Sequence, residues 1–254
     1  MAQTFRLKIY RGEPGKQYWE EFELLETPNV ISALMEIQKR PINQKGEKVS
    51  PVTWEQGCLE EVCGSCSMLI NGRPRQACTA MIAPLLEGTK SRVITLAPFT
   101  KFPLIRDLVV NRHSMFETLK KAHAWISVDS SFNRGFGPKI SQEKQQVMYA
   151  LSTCMTCGCC LEACPQVSAH SKFIGPASIS QVRLFNLHPT GALEKKKRLH
   201  VLMEKGGVSD CGNAQNCVKV CPKKIPLTES IAAMGREVTR QALQDLLGPS
   251  DQEV

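Results

Sequence analysis

The 254-residue sequence has no long apolar run and few aromatic side chains. No segment is apolar enough over sufficient length to span a bilayer, and Met1–Tyr10 lacks the apolar core of a secretory signal, so we expect neither feature. The net charge is +8, but basic and aromatic residues are not interleaved, which argues against a nucleic-acid partner. The five histidines show no haem or Rieske spacing. Because no nucleophile, base or substrate pocket is recognisable either, we assign no catalytic residue.

What the sequence does contain is cysteine, twelve in all, with eleven of them in three runs. The first run has C-x4-C-x2-C spacing and a later fourth cysteine, the plant-type pattern for a [2Fe-2S] centre. The other two runs end in Cys-Pro, as in two-cluster bacterial ferredoxins. The runs are Cys58, Cys63, Cys66 and Cys78; then Cys154, Cys157, Cys160 and Cys164; then Cys211, Cys217 and Cys221. Such a series predicts a protein that conducts electrons.

The third run lacks one cysteine, and the gap bears on the cluster that forms there. When the two Cys-Pro endings are aligned, Cys157 falls opposite Ala214. In two-cluster ferredoxins the fourth cysteine of each run ligates the cluster of the other run. This exchange predicts a complete [4Fe-4S] set of Cys154, Cys157, Cys160 and Cys221. The remaining set, Cys164, Cys211 and Cys217, predicts a [3Fe-4S] cluster because alanine has no donor atom.

Other uses of cysteine were weighed against iron-sulfur ligation. Disulfides are typical of small secreted proteins in oxidising compartments, whereas this chain is long and we expect it to lie in a reducing compartment. Structural zinc also uses short C-x2-C pairs, but it does not explain the first run together with two Cys-Pro endings. Cys159 is left over, and we expect it to be a buried small hydrophobic residue that points away from the iron. Gly57 and Gly64 are expected to let the backbone approach the cluster sulfurs.

Periodicity in the first part of the chain predicts a small sheet with one helix across it. Asn29 is the expected N-cap of the helix, and Pro41 stops it. Asn71-Gly72 predicts a tight hairpin turn. The predicted strands are Thr4–Tyr10, Tyr18–Leu25, Ser67–Ile70, Arg73–Cys78 and Val93–Leu96.

Beyond the sheet the pattern becomes helical. We expect a connector over residues 101–140, with a helical stretch over 107–124 followed by Gly135, Gly137 and Pro138. Further helices are predicted from Ser141 onward, over Ser178–Asn186 and over Thr228–Leu247. The fold class is therefore α+β, with a plant-type [2Fe-2S] ferredoxin domain of the β-grasp type over 1–100 and a helical two-cluster ferredoxin domain over 141–254. The basic run Lys195–Arg198 is expected to be a solvated helix face, or else a contact surface for an acidic partner or anionic lipid.

Over nearly its whole length the sequence resembles the iron-sulfur subunits of succinate dehydrogenase and quinol-fumarate reductase. The resemblance is carried by Asn29–Leu34, Cys58–Cys66, Gly72–Cys78, Cys154–Gly158 and Ser180–Phe185. It looks most similar to the Bacillus-type subunit, which partners a dihaem cytochrome b anchor. The resemblance implies electron transfer from the FAD of a flavoprotein subunit, which oxidises succinate, through [2Fe-2S], [4Fe-4S] and [3Fe-4S] to quinone or haem. It also implies a peripheral position on the cytoplasmic face of the cell membrane, held by the anchor.

Two positions depart from the ubiquinone-using members of this family. Those members have a histidine just after the first ligand of the last run and a tryptophan five residues after the Cys-Pro cysteine before it. Gly212 and Ala169 stand at these places, so the resemblance favours menaquinone, reached through the haems of the anchor. The same parts also suit a fumarate reductase, because this subunit does not report direction. A free ferredoxin-like carrier, disfavoured by the long and basic chain, and a zinc-stabilised binding module stay as alternatives.

Overall fold

The computed structural model describes residues 3–127 and 139–248. The chain forms two compact units, of which the first comprises the described parts of 1–112, 155–163 and 220–222. The second comprises the described parts of 113–154, 164–219 and 223–254. Gly135, Gly137 and Pro138 of the predicted connector lie outside the described residues. Among the helices of the described ranges, none combines the length and the apolar character that a bilayer crossing requires.

The first unit is built on a five-stranded sheet in the order β2-β1-β5-β3-β4. Its strands are β1 (Thr4–Glu13), β2 (Lys16–Leu25), β3 (Ser67–Ile70), β4 (Arg73–Gln76) and β5 (Val93–Ala97). β1 pairs with β2 antiparallel and with β5 parallel, while β3 pairs antiparallel with both β4 and β5. Alternate residues of β1, namely Phe5, Leu7 and Ile9, are buried in the core, as the period of two predicts. All five strands expected from the sequence are present.

Helix α1 (Val30–Lys39) packs its apolar side into the core of this sheet. It begins where expected, because Asn29 Oδ1 accepts the backbone N–H of Ser32 at 2.9 Å. It ends before Pro41. The turn between β3 and β4 has left-handed φ angles of +49° at Asn71 and +73° at Gly72, which suits the twist of a two-residue hairpin. A short helix, α2 (Ile82–Leu86), precedes β5.

The helix predicted over 107–124 is wrong in its first part. Strands β6 (Leu104–Arg106) and β7 (Val109–Val110) pair there, and helix α3 covers only His113–Lys121. Asp107 between the two strands has a left-handed φ of +47°. Its carboxylate accepts the backbone N–H groups of Gly12 and Thr53, each at 2.8 Å. Because these bonds reach distant parts of the chain, they outweigh the local helical pattern.

The second unit is helical. In chain order the remaining helices are α4 (Gln142–Ser152), α5 (Cys159–Glu162, which belongs to the first unit), α6 (Gly175–Leu187), α7 (Lys195–Met203), α8 (Asn216–Val220) and α9 (Leu227–Leu247). Ser141 Oγ accepts the backbone N–H of Lys144 at 3.4 Å and so caps α4. Ile179, Val182, Leu199 and Met234 are among the buried core residues that α6, α7 and α9 contribute. The helices predicted from Ser141 onward are therefore confirmed.

The basic run Lys195–Arg198 is not simply a solvated face. Arg198 is fully buried and donates to the carbonyl oxygens of His123, Trp125 and Gly191 at 2.8, 2.7 and 2.6 Å. Two of the lysines pair with acidic residues of α9. Arg198 thus organises the interior of the second unit, where its guanidinium donates to carbonyl oxygens from two separate segments of the chain.

Candidate iron-sulfur sites

The first cysteine run forms a loop in which sulfur atoms accept backbone hydrogen bonds. Three N–H groups donate to Cys58 Sγ, from Glu60, Val62 and Cys63 at 3.5, 3.2 and 3.3 Å. Cys63 Sγ accepts the N–H groups of Cys58 and Ser65 at 3.4 and 3.5 Å. The Cys58 N–H first, and then Ser65, lower the pKa of Cys63 to about 6. Because the thiolate is the form that binds metal, this loop favours ligation.

The other two thiols of the predicted [2Fe-2S] set are buried side by side. Cys66 precedes β3, and Cys78 lies two residues after the end of β4. Burial first, and then the neighbouring Cys66 thiol, raise the pKa of Cys78 to about 12. The four thiols thus fall into two pairs, Cys58 with Cys63 and Cys66 with Cys78. A [2Fe-2S] cluster carries two protein ligands on each of its two irons, so this arrangement fits that cluster.

Each cysteine run also contains non-glycine residues with a left-handed backbone. They are Leu59 and Glu61 in the first run, Thr156 in the second, and Asn213 and Gln215 in the third, with φ between +49° and +63°. Such residues turn successive N–H groups toward one side, forming the concave anion sites that many iron-sulfur centres occupy. The strained positions therefore have a common explanation in the binding of anionic clusters.

The two glycines of the first loop have different neighbours. A Cβ at Gly57 would lie 2.9 Å from Cys63 Sγ, which confirms the expected close approach of backbone to sulfur. A Cβ at Gly64 would instead lie 2.9 Å from both Cα and Cβ of Cys157 in the second run. Gly64 also has a left-handed φ of +76°. It is therefore the point at which the first ligand loop touches the second.

The second run places buried thiols in the first compact unit. Cys157, Cys159 and Cys160 are buried, and the segment 220–222 that carries Cys221 belongs to the same unit. Cys154 is the residue just before this part of the chain. A hydrogen bond from the Cys159 thiol is the main cause that lowers the pKa of Cys157 to about 7. Cys159 is fully buried, as predicted, but it has polar partners.

Arg112 is a residue of this site that the sequence did not indicate. Its guanidinium donates to the carbonyl oxygens of Gly64 at 2.9 Å and Ser65 at 2.7 Å, and it pairs with Glu55 at 2.9 Å. It therefore holds the first ligand loop in place. Its positive charge also contributes to lowering the pKa of Cys157. No local motif marks such a residue, because its partners lie about fifty positions earlier in the chain.

The predicted three-thiolate set surrounds one cavity in the second unit. Cys164, Cys211, Cys217 and Ala214 all line this cavity, which encloses about 300 Å³ including its open mouth. Burial first, and then the thiols of Cys164 and Cys211, raise the pKa of Cys217. The structure thus brings Cys164 of the second run to two cysteines of the third. The placement of Cys164 agrees with the ligand exchange that the Cys-Pro endings predict, and the ligand set itself stays a prediction.

Across 3–127 and 139–248, no group of three or more His, Cys, Asp and Glu side chains is placed to hold a single metal ion.

Comparison with known proteins shows the family. A model of a 2Fe-2S iron-sulfur cluster binding domain matches residues 6–117, and a model of a 4Fe-4S dicluster domain matches residues 150–225. The succinate dehydrogenase iron-sulfur subunit of Bacillus subtilis is 57% identical over 249 residues, which cover 96% of each chain. The chain belongs to the succinate dehydrogenase iron-sulfur subunits.

Two more distant matches were found, one in sequence and one in structure. The fumarate reductase iron-sulfur subunit of Wolinella succinogenes is 27% identical to this chain over 245 residues, which cover 94% of this chain and 98% of its own. A chain of the Mycobacterium smegmatis Sdh1 complex in the apo form superposes with a TM-score of 0.76 at 23% identity, covering 99% of this chain and 100% of that one. The second match shows a common fold and confirms the α+β class.

Membership in the succinate dehydrogenase family confirms the main functional expectations. The chain is the iron-sulfur electron-transfer subunit of an oxidoreductase complex of the tricarboxylic acid cycle and respiratory chain. Its cofactors are a [2Fe-2S], a [4Fe-4S] and a [3Fe-4S] cluster. The zinc-module and free-carrier alternatives are therefore set aside.

Proposed function

We propose that eleven cysteines ligate the three clusters in the sets that their spacing predicts. Cys58, Cys63, Cys66 and Cys78 hold [2Fe-2S]; Cys154, Cys157, Cys160 and Cys221 hold [4Fe-4S]; and Cys164, Cys211 and Cys217 hold [3Fe-4S]. The observation that supports this best is the cavity where Cys164 meets Cys211 and Cys217 beside Ala214. When bound, the clusters supply one-electron carriers that accept electrons singly from a two-electron donor.

The protein's own contribution is to stabilise charge at the sulfur atoms. The backbone N–H groups around Cys58 and Cys63 stabilise negative charge and so favour the reduced state of the [2Fe-2S] cluster that these thiolates would hold. The arginine at position 112 adds a positive charge beside Cys157. These residues set potentials without taking part in any bond change.

The exposed side of the first ligand loop is the proposed contact with an FAD-containing flavoprotein subunit. Cys63 is exposed there, while Cys66 and Cys78 are buried. Leu59 and Val62 in the same loop are 46% and 60% exposed. Apolar side chains left exposed beside a redox centre suit a protein partner rather than water.

The proposed electron acceptor is menaquinone, reached through a membrane anchor of the dihaem cytochrome b type. Gln166 Nε2 lies 2.5 Å from where a Cβ of Gly212 would stand, so this amide occupies the room that a side chain at position 212 would need. Among the described residues that line the cavity, none is a histidine. We place the subunit at the cytoplasmic face of the cell membrane, held by the anchor. Quinone extracted from the purified complex should be menaquinone, and ubiquinone alone contradicts the proposal.

Spin-resonance spectroscopy of the purified complex tests the central proposal. Adding succinate should produce the signal of a reduced [2Fe-2S] cluster and remove the signal of an oxidised [3Fe-4S] cluster. Adding fumarate instead, as the control, should leave the oxidised signals unchanged. The absence of acid-labile sulfide, or of any three-iron signal, overturns the assignment.

A further inference from the structure

A buried polar network joins the first and second cysteine runs within the first compact unit. Gln76 on β4 and Cys159 on α5 are fully buried, and Ser67 on β3 is nearly so. Gln76 Oε1 lies 3.6 Å from Cys66 Sγ, and Gln76 Nε2 lies 3.6 Å from Cys159 Sγ. The proposed ligand sets use neither Gln76 nor Cys159. A single amide nevertheless connects a [2Fe-2S] ligand with the segment that carries [4Fe-4S] ligands.

Ser67 supports the amide of Gln76 without determining its orientation. Its hydroxyl has one proton, and the short contact of 2.6 Å to the carbonyl oxygen of Gly64 uses it. Ser67 Oγ therefore acts as an acceptor toward Gln76. The nitrogen and oxygen of the Gln76 amide lie 2.8 and 3.1 Å from it, so an N–H reaches Ser67 in either orientation.

Cys66 determines the orientation once it ligates iron. A ligating thiolate has no proton and only accepts, so an amide oxygen facing it would be repelled. The orientation of a glutamine amide is inferred from its partners, because its nitrogen and oxygen are nearly indistinguishable. With iron bound, Gln76 must therefore turn its N–H toward Cys66 and its oxygen toward Cys159. The thiol of Cys159 then donates to that oxygen, and every polar atom in the network has a partner.

The same Cys159 thiol has a second acceptor. A side-chain hydrogen bond between Cys159 and Cys157, one of the proposed [4Fe-4S] ligands, raises the pKa of Cys159 and lowers that of Cys157, so the sulfur of Cys157 lies within reach of the same S–H. One S–H proton is thus shared between the oxygen of Gln76 and the sulfur of Cys157. More donation to one of these acceptors means less donation to the other.

From this geometry we propose that Gln76 and Cys159 form a hydrogen-bond relay that sets the potentials of the [2Fe-2S] and [4Fe-4S] centres jointly. The inference rests on the proposed ligand sets. Hydrogen bonds to cluster sulfurs favour the reduced state because they stabilise its additional negative charge. Gln76 provides such a bond to Cys66, and Cys159 divides its own between Gln76 and Cys157. Both are positioning residues that act through ligands, and they account for the one cysteine outside the three sets.

The test is a redox titration of the purified membrane complex, followed by spin resonance and visible absorbance. Gln76→Leu removes the donor to Cys66, so at a fixed poise the reduced-to-oxidised ratio of [2Fe-2S] should fall about tenfold, which is 59 mV for one electron. The same substitution leaves Cys159 free to donate fully to Cys157, so [4Fe-4S] should become easier to reduce. Cys159→Ala should instead make both centres harder to reduce.

Opposite shifts in Gln76→Leu are the signature that a merely structural role does not produce. The relay is overturned if both centres of Gln76→Leu shift in the same direction or neither shifts, or if Cys159→Ala leaves [2Fe-2S] unchanged. Gln76→Met, of similar length and also without an amide, provides a second variant in case Leu impairs assembly. Gln181→Leu is the matched control, because Gln181 donates only a long 3.4 Å bond to Leu151 O in the second unit. Its potentials should match those of the unsubstituted complex.

The outcome separates the relay from the ligand assignment on which it rests. If Cys66→Ser leaves the [2Fe-2S] spectrum unaltered, the assignment itself is wrong. If Cys66→Ser alters the spectrum while Gln76→Leu leaves both potentials in place, only the relay is wrong.

Discussion

Under the proposed ligand sets, Ala214 is the residue that distinguishes the [3Fe-4S] site from a four-iron site. It lines the same cavity as Cys164, Cys211 and Cys217 but has no donor atom. Ala214→Cys should supply the missing thiolate, so the spin-resonance signal of the oxidised three-iron cluster should disappear and a four-iron signal should appear on reduction. Ala214→Val, which fills space without a donor, is the control and should keep the three-iron signal. Persistence of that signal in Ala214→Cys means that the exchange between the runs is wrong.

Gly64 and Gly72 form a matched pair for measuring a contact. Their φ angles are +76° and +73°. A Cβ added at Gly64 would lie 2.9 Å from Cys157, whereas a Cβ added at Gly72 would have no neighbour within 4 Å among the described residues. Gly72→Ala should cost about 1–2 kcal/mol, the ordinary penalty of a left-handed alanine, with full iron content. Gly64→Ala should cost more, because Cys157 backbone cannot yield easily, and should reduce bound iron. Iron and labile sulfide per complex, with thermal loss of visible absorbance, measure both effects; equal losses in the two variants contradict the contact.

The proposed cluster ligands differ from the residues proposed to adjust cluster potentials in how they could be found from the sequence. The proposed cysteine sets were predicted from short spacings and Cys-Pro endings, which are patterns within a few residues. Gln76 lies in a segment that carries the family resemblance, yet only its contacts with Cys66 and Cys159 suggest a role. Arg112 shows no sequence signal at all.

At the scale of strands and loops, a buried ion network fixes the end of the first hairpin. Arg11 on β1 pairs with Glu20 on β2 and, at 3.5 Å, with Asp107. All three side chains are buried. Asp107 also accepts two backbone N–H groups, from Gly12 and Thr53, so it ties the β6-β7 ladder to the main sheet.

Removing one member of this network should be strongly destabilising. Asp107→Ala leaves Arg11 buried with fewer partners, and we expect a loss of about 3–5 kcal/mol. The exposed pair of Glu26 and Arg92 provides the control, since Glu26→Ala should cost at most about 1 kcal/mol. Denaturant unfolding followed by the loss of [2Fe-2S] absorbance compares the two. A cost for Asp107→Ala no larger than for Glu26→Ala shows that the network is not structural.

Most elements could be anticipated from periodicity and caps. Asn29, Pro41 and Asn71-Gly72 act through bonds within a few residues, so the helix and hairpin they bound were predicted correctly. The stretch from 107 to 112 was not, because the bonds that shape it come from Gly12 and Thr53. The periodicity of apolar residues reflects only local structure, so it does not indicate hydrogen-bond partners that are so distant in the sequence.

At the scale of the whole molecule, each compact unit is made of stretches that are not continuous in the sequence. Residues 155–163 belong to the first unit, although they lie far beyond its main stretch. Glu162 accepts the backbone N–H groups of Thr100 and Lys101 at 2.9 and 3.0 Å. A Cβ at Gly158 would lie 3.2 Å from the ring of Phe102. The domain bounds 1–100, 101–140 and 141–254 stay a prediction. The compact units, in contrast, combine stretches that are far apart in the sequence.

The division into two units predicts the order in which the clusters are lost on heating when one unit is destabilised. Glu162→Ala leaves two backbone N–H groups of the first unit without their acceptor, at a cost of about 1–3 kcal/mol each. Stepwise heating should then bleach [2Fe-2S] before [3Fe-4S]. Arg198→Met, which removes three buried hydrogen bonds to carbonyl oxygens in the second unit, should reverse that order. Spin resonance after each heating step records both signals, and an order that is the same in both variants contradicts the division.

The sequence by itself determined the cluster types, most helices and strands, and the family, and it predicted which cysteine runs supply the ligands. It could do so because cysteine spacing, Cys-Pro endings and capping residues act over a few positions of covalent chain. Only the tertiary structure decided that Arg112 holds the first ligand loop, that Asp107 interrupts a helix, and that Gln76 meets Cys159. These contacts join residues some fifty to one hundred positions apart, and no local pattern encodes a meeting that depends on how the whole chain packs.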